Sequence, residues 1–538
     1  MSGSGGRGAV PVVSACMIVR NEEANLGRVL RSLEGAVDEI VVVDTGSSDA
    51  TVDIAREHGA DVRFFEWCDD FSAARNESLR YATGDFVLWI DADDELLESR
   101  PGALRGVCEE LAPDAWGCWM DVHCPSDEWA ESETVVKQIR IFRNHRRVRF
   151  HGRVHEQVTP PPDIADVVSF QSAVAVKHWG YVDGGDVARR RSERNRRLVR
   201  LAIAEEPAES FHYYNLALDY AGQDEWPLAL NALEEGLRLW EAAPVANDGH
   251  VANMYANAVF SAVQVQDYAR ALALQNQTPT KYLSSELLHH AGVAHWRLGR
   301  HADALASFDR ALREPSLVNS NLHERSTSTW RPLLLKASVY FELNDYERAY
   351  ECARQAAAHA PGKPEALLVL AVAAKETGRT EEAVSHARDL LSCARAGDTQ
   401  AKARKVLLNI ASERKDPKLA AEAVEGPVEG ISPADALWLQ AQIEACAGNM
   451  HRESELLVQA CQMHPGHHEI RLRLSQVLEA QGFLPQALEV LASALDHPPV
   501  PSLAYQRLSI LLARQGRLED AANALELAGR SASEHAVL

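Results

Sequence analysis

FVLWIDADDELLE, residues 86–98, runs five apolar residues straight into four acids within five positions, Asp91, Asp93, Asp94 and Glu95. A continuous apolar run marks a strand covered on both faces, not a surface strand of alternating polarity. Ligands of open α/β sheets bind where such strands end and the backbone stops being fully paired. Like charges repel, and the stretch itself holds no basic residue to neutralise these four. In an extended segment residues i and i+2 point the same way, so Asp91 and Asp93 face one point. A divalent cation with oxygen ligands at about 2.1 Å would remove the repulsion, and Mg2+ or Mn2+ would keep open positions for a diphosphate.

Working outward, VVSACMIV (12–19), EIVVVD (39–44) and DVRFFEW (61–67) are three further strand runs, which makes FVLWI (86–90) the fourth. Helical patterns fill the gaps. One covers about residues 23–33. SDATVDIAREHG (48–59) has Ser47 or Ser48 as N-cap and Gly59 as stop, and FSAARNESLRYATG (71–84) is closed by Gly84. This alternation predicts an α/β domain with a mainly parallel sheet and right-handed crossovers.

From about residue 206 strand runs vanish and Ala/Leu-rich helical periodicity takes over. Short turns recur, and Asn344 and Gly378 are 34 residues apart, as are Gly448, Gly482 and Gly516 in turn. The period and the small residues, as in RHADALASFDRALREP, resemble the tetratricopeptide repeat, two helices in about 34 residues. About eight or nine units are expected, with 315–331 an inserted loop. Such repeats stack into a superhelix whose concave face holds a peptide or protein. The expected layout is a disordered tail over 1–10, an α/β domain over 11–185, a basic linker helix over 186–205 and repeats over 206–530.

Bulk properties narrow the classes. The chain of 538 residues carries 55 basic and 77 acidic residues, a formal charge of −22. That balance disfavours indiscriminate binding to nucleic acid or anionic membrane. No apolar run reaches the roughly 20 residues of a membrane-spanning helix. The nine cysteines are scattered without a CxxC, and the tail MSGSGGRGAV has no signal-like apolar stretch. A reducing, cytoplasmic setting is expected.

Acid-at-strand-end chemistry also occurs in phosphatases of the haloacid-dehalogenase type, but on the first strand. Here four motifs stand in series: MIVRNEE (17–23), VDTGSSDAT (43–51), FSAARN (71–76) and DADD (91–94). In that order they resemble the inverting family-2 glycosyltransferases of GT-A fold, over roughly residues 12–180. The resemblance implies a nucleotide-sugar donor, most often a UDP-sugar. By position, Asp44 would bond the uracil ring, Glu22 the ribose, and Arg75 the base or a phosphate. Asp91 would touch the ribose or stand behind the metal, and Asp93 would be the direct ligand to a Mn2+ or Mg2+ ion bridging both phosphates. Blander roles remain open: Asp44 as a turn-forming acid before Gly46, Glu22 as a first-turn acid complementing the helix dipole.

Downstream, KQIRIFRNHRRVRFHGR (137–153) packs seven Lys/Arg into seventeen residues, and one or two of them are expected near the diphosphate. The run ends in RVHEQ. An inverting enzyme needs a carboxylate to take the acceptor's proton, and Glu156 is the candidate base; the alternatives are that His155 and Glu156 only brace the acceptor loop, or that the base is Asp94 or another acid. His178, in AVKHWGYVDGGD (175–186), is a candidate further metal ligand by resemblance, or an ordinary histidine beside Trp179 and Tyr181. Gly184 and Gly185 would let that segment close over the donor. RRRSERNRRLVR (189–200) reads as a linker helix whose arginines pair with acids, with diphosphate binding a weaker option.

The function expected is transfer of a hexose or N-acetylhexosamine from a UDP-sugar to Ser, Thr or Cys of a peptide or protein held by the repeats. The arrangement resembles bacterial polypeptide glycosyltransferases. Alternatives are the same chemistry on an envelope saccharide or lipid-linked glycan, and a repeat scaffold with a degenerate transferase head. A homodimer through terminal repeats stays open.

Overall fold

The computed structural model describes residues 10–125, 133–160, 163–164, 168–180, 186–244, 249–316, 325–393, 398–424 and 432–535. Residues 1–9 of the expected tail, Gly184 and Gly185, and 317–324 of the expected inserted loop lie outside the described residues. The chain forms two compact units, Met1–Pro332 and Leu333–Leu538.

The first unit opens with β1 (Val13–Val19), α1 (Leu26–Leu33), β2 (Glu39–Asp44), α2 (Thr51–Glu57), β3 (Asp61–Phe64), α3 (Phe71–Leu79) and β4 (Phe86–Trp89). There follow β5 (Asp94–Glu98), α4 (Ala103–Glu110), β6 (Gly117–Pro125), β7 (Glu133–Arg143), β8 (Arg149–His151), β9 (Gln157–Thr159) and β10 (Val168–His178). Eight strands form one sheet in the order β3-β2-β1-β4-β7-β6-β10-β5, with β8 and β9 a separate hairpin. The half built from β1 to β4 is parallel, as the alternation predicts. The other half is mixed, since β7 runs antiparallel to both β4 and β6, β10 parallel to β6, and β5 antiparallel to β10.

Burial explains the apolar run of β4. Phe86, Leu88 and Ile90 sit in one core with Leu26, Leu30 and Leu33 of α1. Val87 and Trp89 sit on the opposite face with Phe142 and Phe150. Each such side chain contributes about 1.5–3 kcal/mol on leaving water, so a polar residue anywhere in β4 is costly.

Two helix ends differ from the sequence expectation. α2 starts at Thr51 with no side-chain cap from Ser47 or Ser48. Both serines are bound to the loop after β1: Asn21 N–H donates to Ser47 Oγ, and Asn21 Oδ1 accepts from Ser48 N–H. α3 is capped by Asp70, which accepts from Ala73 N–H, and it ends at Leu79. Gly84 therefore stops no helix. It lies against β1, its N–H donating to Ser14 Oγ at 2.9 Å, where an added Cβ would lie 2.6 Å from that oxygen.

The rest of the first unit is helical, beginning with α5 (Asp186–Glu205), α6 (Ser210–Ala221) and α7 (Trp226–Ala242). α5 is pinned from both sides. Arg197 pairs with Asp69 at 2.5 Å and Glu205 with Arg153, which tie it to the loops flanking α3 and β8. Arg196 pairs with Asp219 at 2.5 Å and Glu225 at 3.1 Å, which tie it to α6 and α7. Helices then come in antiparallel pairs, each turning through a residue of left-handed backbone: Asp224, Gln266 and Gly299 in the first unit, and Asn344, Gly378, Lys415, Gly448, Gly482 and Gly516 in the second. Glycine, Asn and Asp reach that conformation at least cost, which is why the turns punctuate the sequence. Within a pair, small residues let helices touch: a Cβ on Gly292 would lie 2.5 Å from the Phe308 ring.

Candidate active site

The chain leaves the sheet after Ile90 and turns at once. Asp94 N–H donates to Asp91 C=O at 3.1 Å, and Asp94 Oδ2 accepts from Asp91 N–H at 2.8 Å. The acids thus sit on a tight turn, not on the extended segment that alternation assumed. They still converge: one donor atom each from Asp91, Asp93, Asp94 and His178 lies within 4.8 Å of the rest. Register brings in the imidazole, since β5 pairs β10 with His178 directly opposite Asp94.

Each carboxylate has a different environment. Asp94 is fully buried and spoken for: Oδ1 meets His178 Nδ1 at 2.8 Å and Oδ2 accepts from Arg140 at 3.0 Å. Asp91 Oδ1 accepts from Arg75 Nη2 at 2.7 Å, and Oδ2 lies 3.4 Å from Arg140 Nη1. Burial pushes Asp91 up, but the charges of Arg75 and Arg140 outweigh it and hold the carboxyl below its ordinary range. Asp93 has no arginine partner among the described residues. Burial raises its pKa, and the charges of Asp91 and Asp94 add to that against the lowering by His178, 3.5 Å away. Burial also pulls His178 down, but its bond to Asp94 and the charges of Asp93, Asp94 and Asp91 leave it raised overall. Glu22, half-buried and accepting from Asn25 Nδ2 at 3.0 Å, is raised by burial and then by Asp93 and Asp91, so it faces the same negative field.

Arg75 joins the remaining candidates. It lies on α3, one turn after Phe71, and its Nε donates to Glu156 while its Nη2 holds Asp91. Oε1 of Glu156 is the accepting atom, and Oε2 makes no hydrogen bond among the described residues. The guanidinium carbons of Arg75 and Arg140 lie 4.4 Å and 3.7 Å from the ring centroid of Trp89, so one indole carries both cations.

Of the residues singled out in sequence, the structure brings Glu22, Arg75, Asp91, Asp93, Glu156 and His178 into one neighbourhood. Asp44 stands at the end of β2, almost fully buried, where its carboxylate accepts from Gly46 N–H at 3.0 Å and Ser47 N–H at 3.1 Å. The loops of the first two motifs are interlocked: Glu22 N–H donates to Thr51 Oγ1 at 2.7 Å, and Glu23 accepts from Ala50 N–H at 3.1 Å. Sequence reasoning missed Arg140, the clamp role of Asp94, and Gly180. Arg140 was one of seven basic residues in a run, and the usable signal was its place inside the apolar stretch IRIF, on the Phe142 side of β7.

A divalent cation fits these residues on an observation independent of their charge. A Cβ on Gly180 would strike Asp93 Oδ2 and lie 2.8 Å from His178 Nε2, so only hydrogen at this buried position keeps both atoms clear. Carboxylate oxygens with one imidazole nitrogen suit Mn2+, and carboxylates alone Mg2+.

The chain is similar to known proteins in both of its parts. The family described as Glycosyl transferase family 2 matches residues 14–160, and Tetratricopeptide repeat matches 261–317, 334–401 and 472–535. A TPR repeat-containing protein of Synechococcus elongatus is 29% identical over 369 residues, 66% of this chain and 77% of that one. Glycosyltransferase SunS of Bacillus phage SPbeta is 30% identical over 204 residues, 37% of this chain and 46% of that one. An uncharacterized glycosyltransferase of Rickettsia felis is 38% identical over 84 residues, 16% of this chain and 29% of that one. The chain thus spans less than half the length of either glycosyltransferase. Its α/β domain belongs to family 2 of the glycosyltransferases, and that domain is followed in the same chain by tetratricopeptide repeats.

Proposed function

We propose that the protein is a divalent-metal-dependent, inverting glycosyltransferase that moves a sugar from a UDP-sugar to a Ser, Thr or Cys side chain of a peptide or protein held by the repeats. The observation that carries this reading is Asp93. Among the described residues it is the one acid of the Asp91–Asp94 turn without an arginine, it faces His178, and Gly180 keeps both clear. Asp93 and His178 would hold the cation, with Asp91 behind them, fixed by Arg75. When bound, the cation supplies charge stabilisation for the departing diphosphate.

The chain's own residues do the rest. Asp44 takes the uracil ring with the lone pairs its loop amides leave, and Glu22 takes the ribose. Arg75 fixes the base: it holds Oε1 of Glu156 and leaves Oε2 to receive the acceptor's proton. The acceptor oxygen or sulfur then bonds the anomeric carbon as the carbon–oxygen bond to the diphosphate breaks, and the electron pair stays on the phosphate oxygen. Attack from the face opposite the leaving group inverts the centre.

No helix among the described residues is long and apolar enough to cross a membrane, which leaves a lipid-linked acceptor without an anchor of that kind. The test is a panel of nucleotide sugars with Mn2+ against candidate acceptor peptides, read by mass spectrometry. A mass increase of one hexose or N-acetylhexosamine on a peptide supports the proposal. Donor hydrolysis that never yields a peptide adduct, but does yield a glycosylated lipid or saccharide, contradicts it.

A further inference from the structure

Three arginines near the cleft differ from the paired arginines of α5 and of the loop after β8. Arg20 follows β1, and Arg191 and Arg194 lie on α5. Arg153, Arg196 and Arg197 each have a carboxylate within ion-pair distance. Among the described residues, Arg20, Arg191 and Arg194 have none: the Arg194 guanidinium donates only to the neighbouring Asn195 Oδ1, at 3.1 and 3.3 Å. Arg20 and Arg194 are exposed and Arg191 is half-buried.

Their place is fixed by packing. The Arg194 guanidinium lies 5.0 Å over the ring of Phe71, the first residue of α3. Arg75 is four residues further along α3, hence on the same face and about one 5.4 Å turn away. Arg75 carries Glu156 and Asp91, so Arg194 stands beside the candidate base at the edge of the acidic cluster. The charges of Arg191, Glu156, Arg20 and Glu22 all act on Arg194, which places the three arginines and both acids in one electrostatic neighbourhood. Residues 191 and 194 are three apart and share a side of α5. The opposite side, with Arg189, Arg196 and Arg200, lines a separate cavity of about 480 Å³ against α6 and α7.

Three like charges in one neighbourhood repel one another, and an anion joining them relieves that repulsion. Arg75 and Arg140 are already bound to Asp91, Asp94 and Glu156, and Glu22 and Asp93 add two further carboxylates to the same neighbourhood. A nucleoside diphosphate entering this cleft therefore needs positive charge from elsewhere than the arginines inside it. We propose that Arg194, with Arg191 and Arg20, forms an anion-binding rim that grips the diphosphate of the donor and of the released nucleotide. The linker helix α5 would then belong to the donor site as well as to the joint with the repeats. This rests on the glycosyltransferase proposal above, and it adds to it the source of non-metal charge on the diphosphate.

The test uses the full chain with Mn2+ and measures binding of UDP and of uridine by calorimetry, for the wild type and for Arg194→Gln, Arg194→Lys and the double variant Arg20→Gln/Arg191→Gln. The expected result is a loss of at least about tenfold in UDP affinity for Arg194→Gln, the worth of one charge-assisted hydrogen bond. Uridine affinity should be unchanged, Arg194→Lys should recover part of the loss, and the double variant should show a shallower salt dependence. An equal fall for uridine would assign Arg194 a purely structural role and overturn the proposal. So would unchanged UDP affinity with a raised KM for the acceptor, since the anion would then be an acceptor carboxylate. Unchanged affinity of every variant in a protein that does bind UDP overturns the rim and leaves the transferase reading standing. A wild type that binds no nucleoside diphosphate overturns both.

Discussion

Arg75 and Asp91 meet across 2.7 Å, with the arginine side chain only 9% exposed and its Nε turned to Glu156. One cation from α3 thereby fixes an acid of the turn after β4 and the candidate base together. Burial opposes that charge, yet the pull of Asp91 and then of Glu156 leaves Arg75 raised and permanently protonated.

Replacing Arg75 with Ala strands two carboxylates in a poorly solvated site. Breaking such a pair costs about 3 kcal/mol or more. The variant should lose that much in urea unfolding together with all transfer activity. Arg75→Lys should not rescue, because one ammonium cannot reproduce the two separate donations. Full activity in the Lys variant would contradict this role.

Gly180→Ala tests the space around Asp93 more selectively than a change of charge. The added methyl would press on Asp93 and His178. The variant should keep its secondary structure and its uridine affinity but lose most of its metal-induced rise in Tm. An unaltered Mn2+ response would show that this space serves no cation.

Asp93 and His178 both have raised pKa values, so both hold protons more tightly in the metal-free fold than when unfolded. A raised His178 contributes stability below the ordinary histidine range, about 6.5, and that contribution is lost as pH rises through its folded value. Cation and proton compete for the same atoms. Apparent Mn2+ affinity should therefore strengthen as pH rises through the histidine range, and Asp93→Asn should be more stable than the wild type without metal. A pH-independent Mn2+ affinity would contradict the assignment of His178.

The repeats offer a check on packing alone. Gly292→Ala would place a methyl 2.5–3.0 Å from three atoms of the Phe308 ring. Overpacking of this kind costs about 1–3 kcal/mol. The loss should appear in thermal unfolding, while uridine affinity stays unchanged.

Much of this was legible in the chain because the signals are local. β4 reads as buried on both faces since it is, with alternate residues in two cores. The helix-pair turns read as punctuation because left-handed backbone selects Gly and Asn, although Asp224, Gln266 and Lys415 do the same duty without a glycine to announce it. The acids of the turn were visible as unbalanced charge. Arg140 and Arg194 were not separable from the basic runs that contain them. What distinguishes Arg140 is its contact with Asp94 and Trp89, from other strands of the sheet. What distinguishes Arg194 is Phe71, more than a hundred residues earlier in the chain. Ser47 and Ser48 misled for the same reason: as helix caps they are plausible locally, but Asn21 claims them.

The most direct test of the central claim is UDP binding to the full chain, with and without Mn2+, in the wild type and in Asp93→Ala. The account predicts that Mn2+ tightens UDP binding to the wild type by at least about tenfold, the worth of a strong ionic contact. It predicts no such tightening in Asp93→Ala, with uridine bound equally by both proteins. Equal Mn2+-dependent tightening in the variant would place the cation elsewhere and contradict the account.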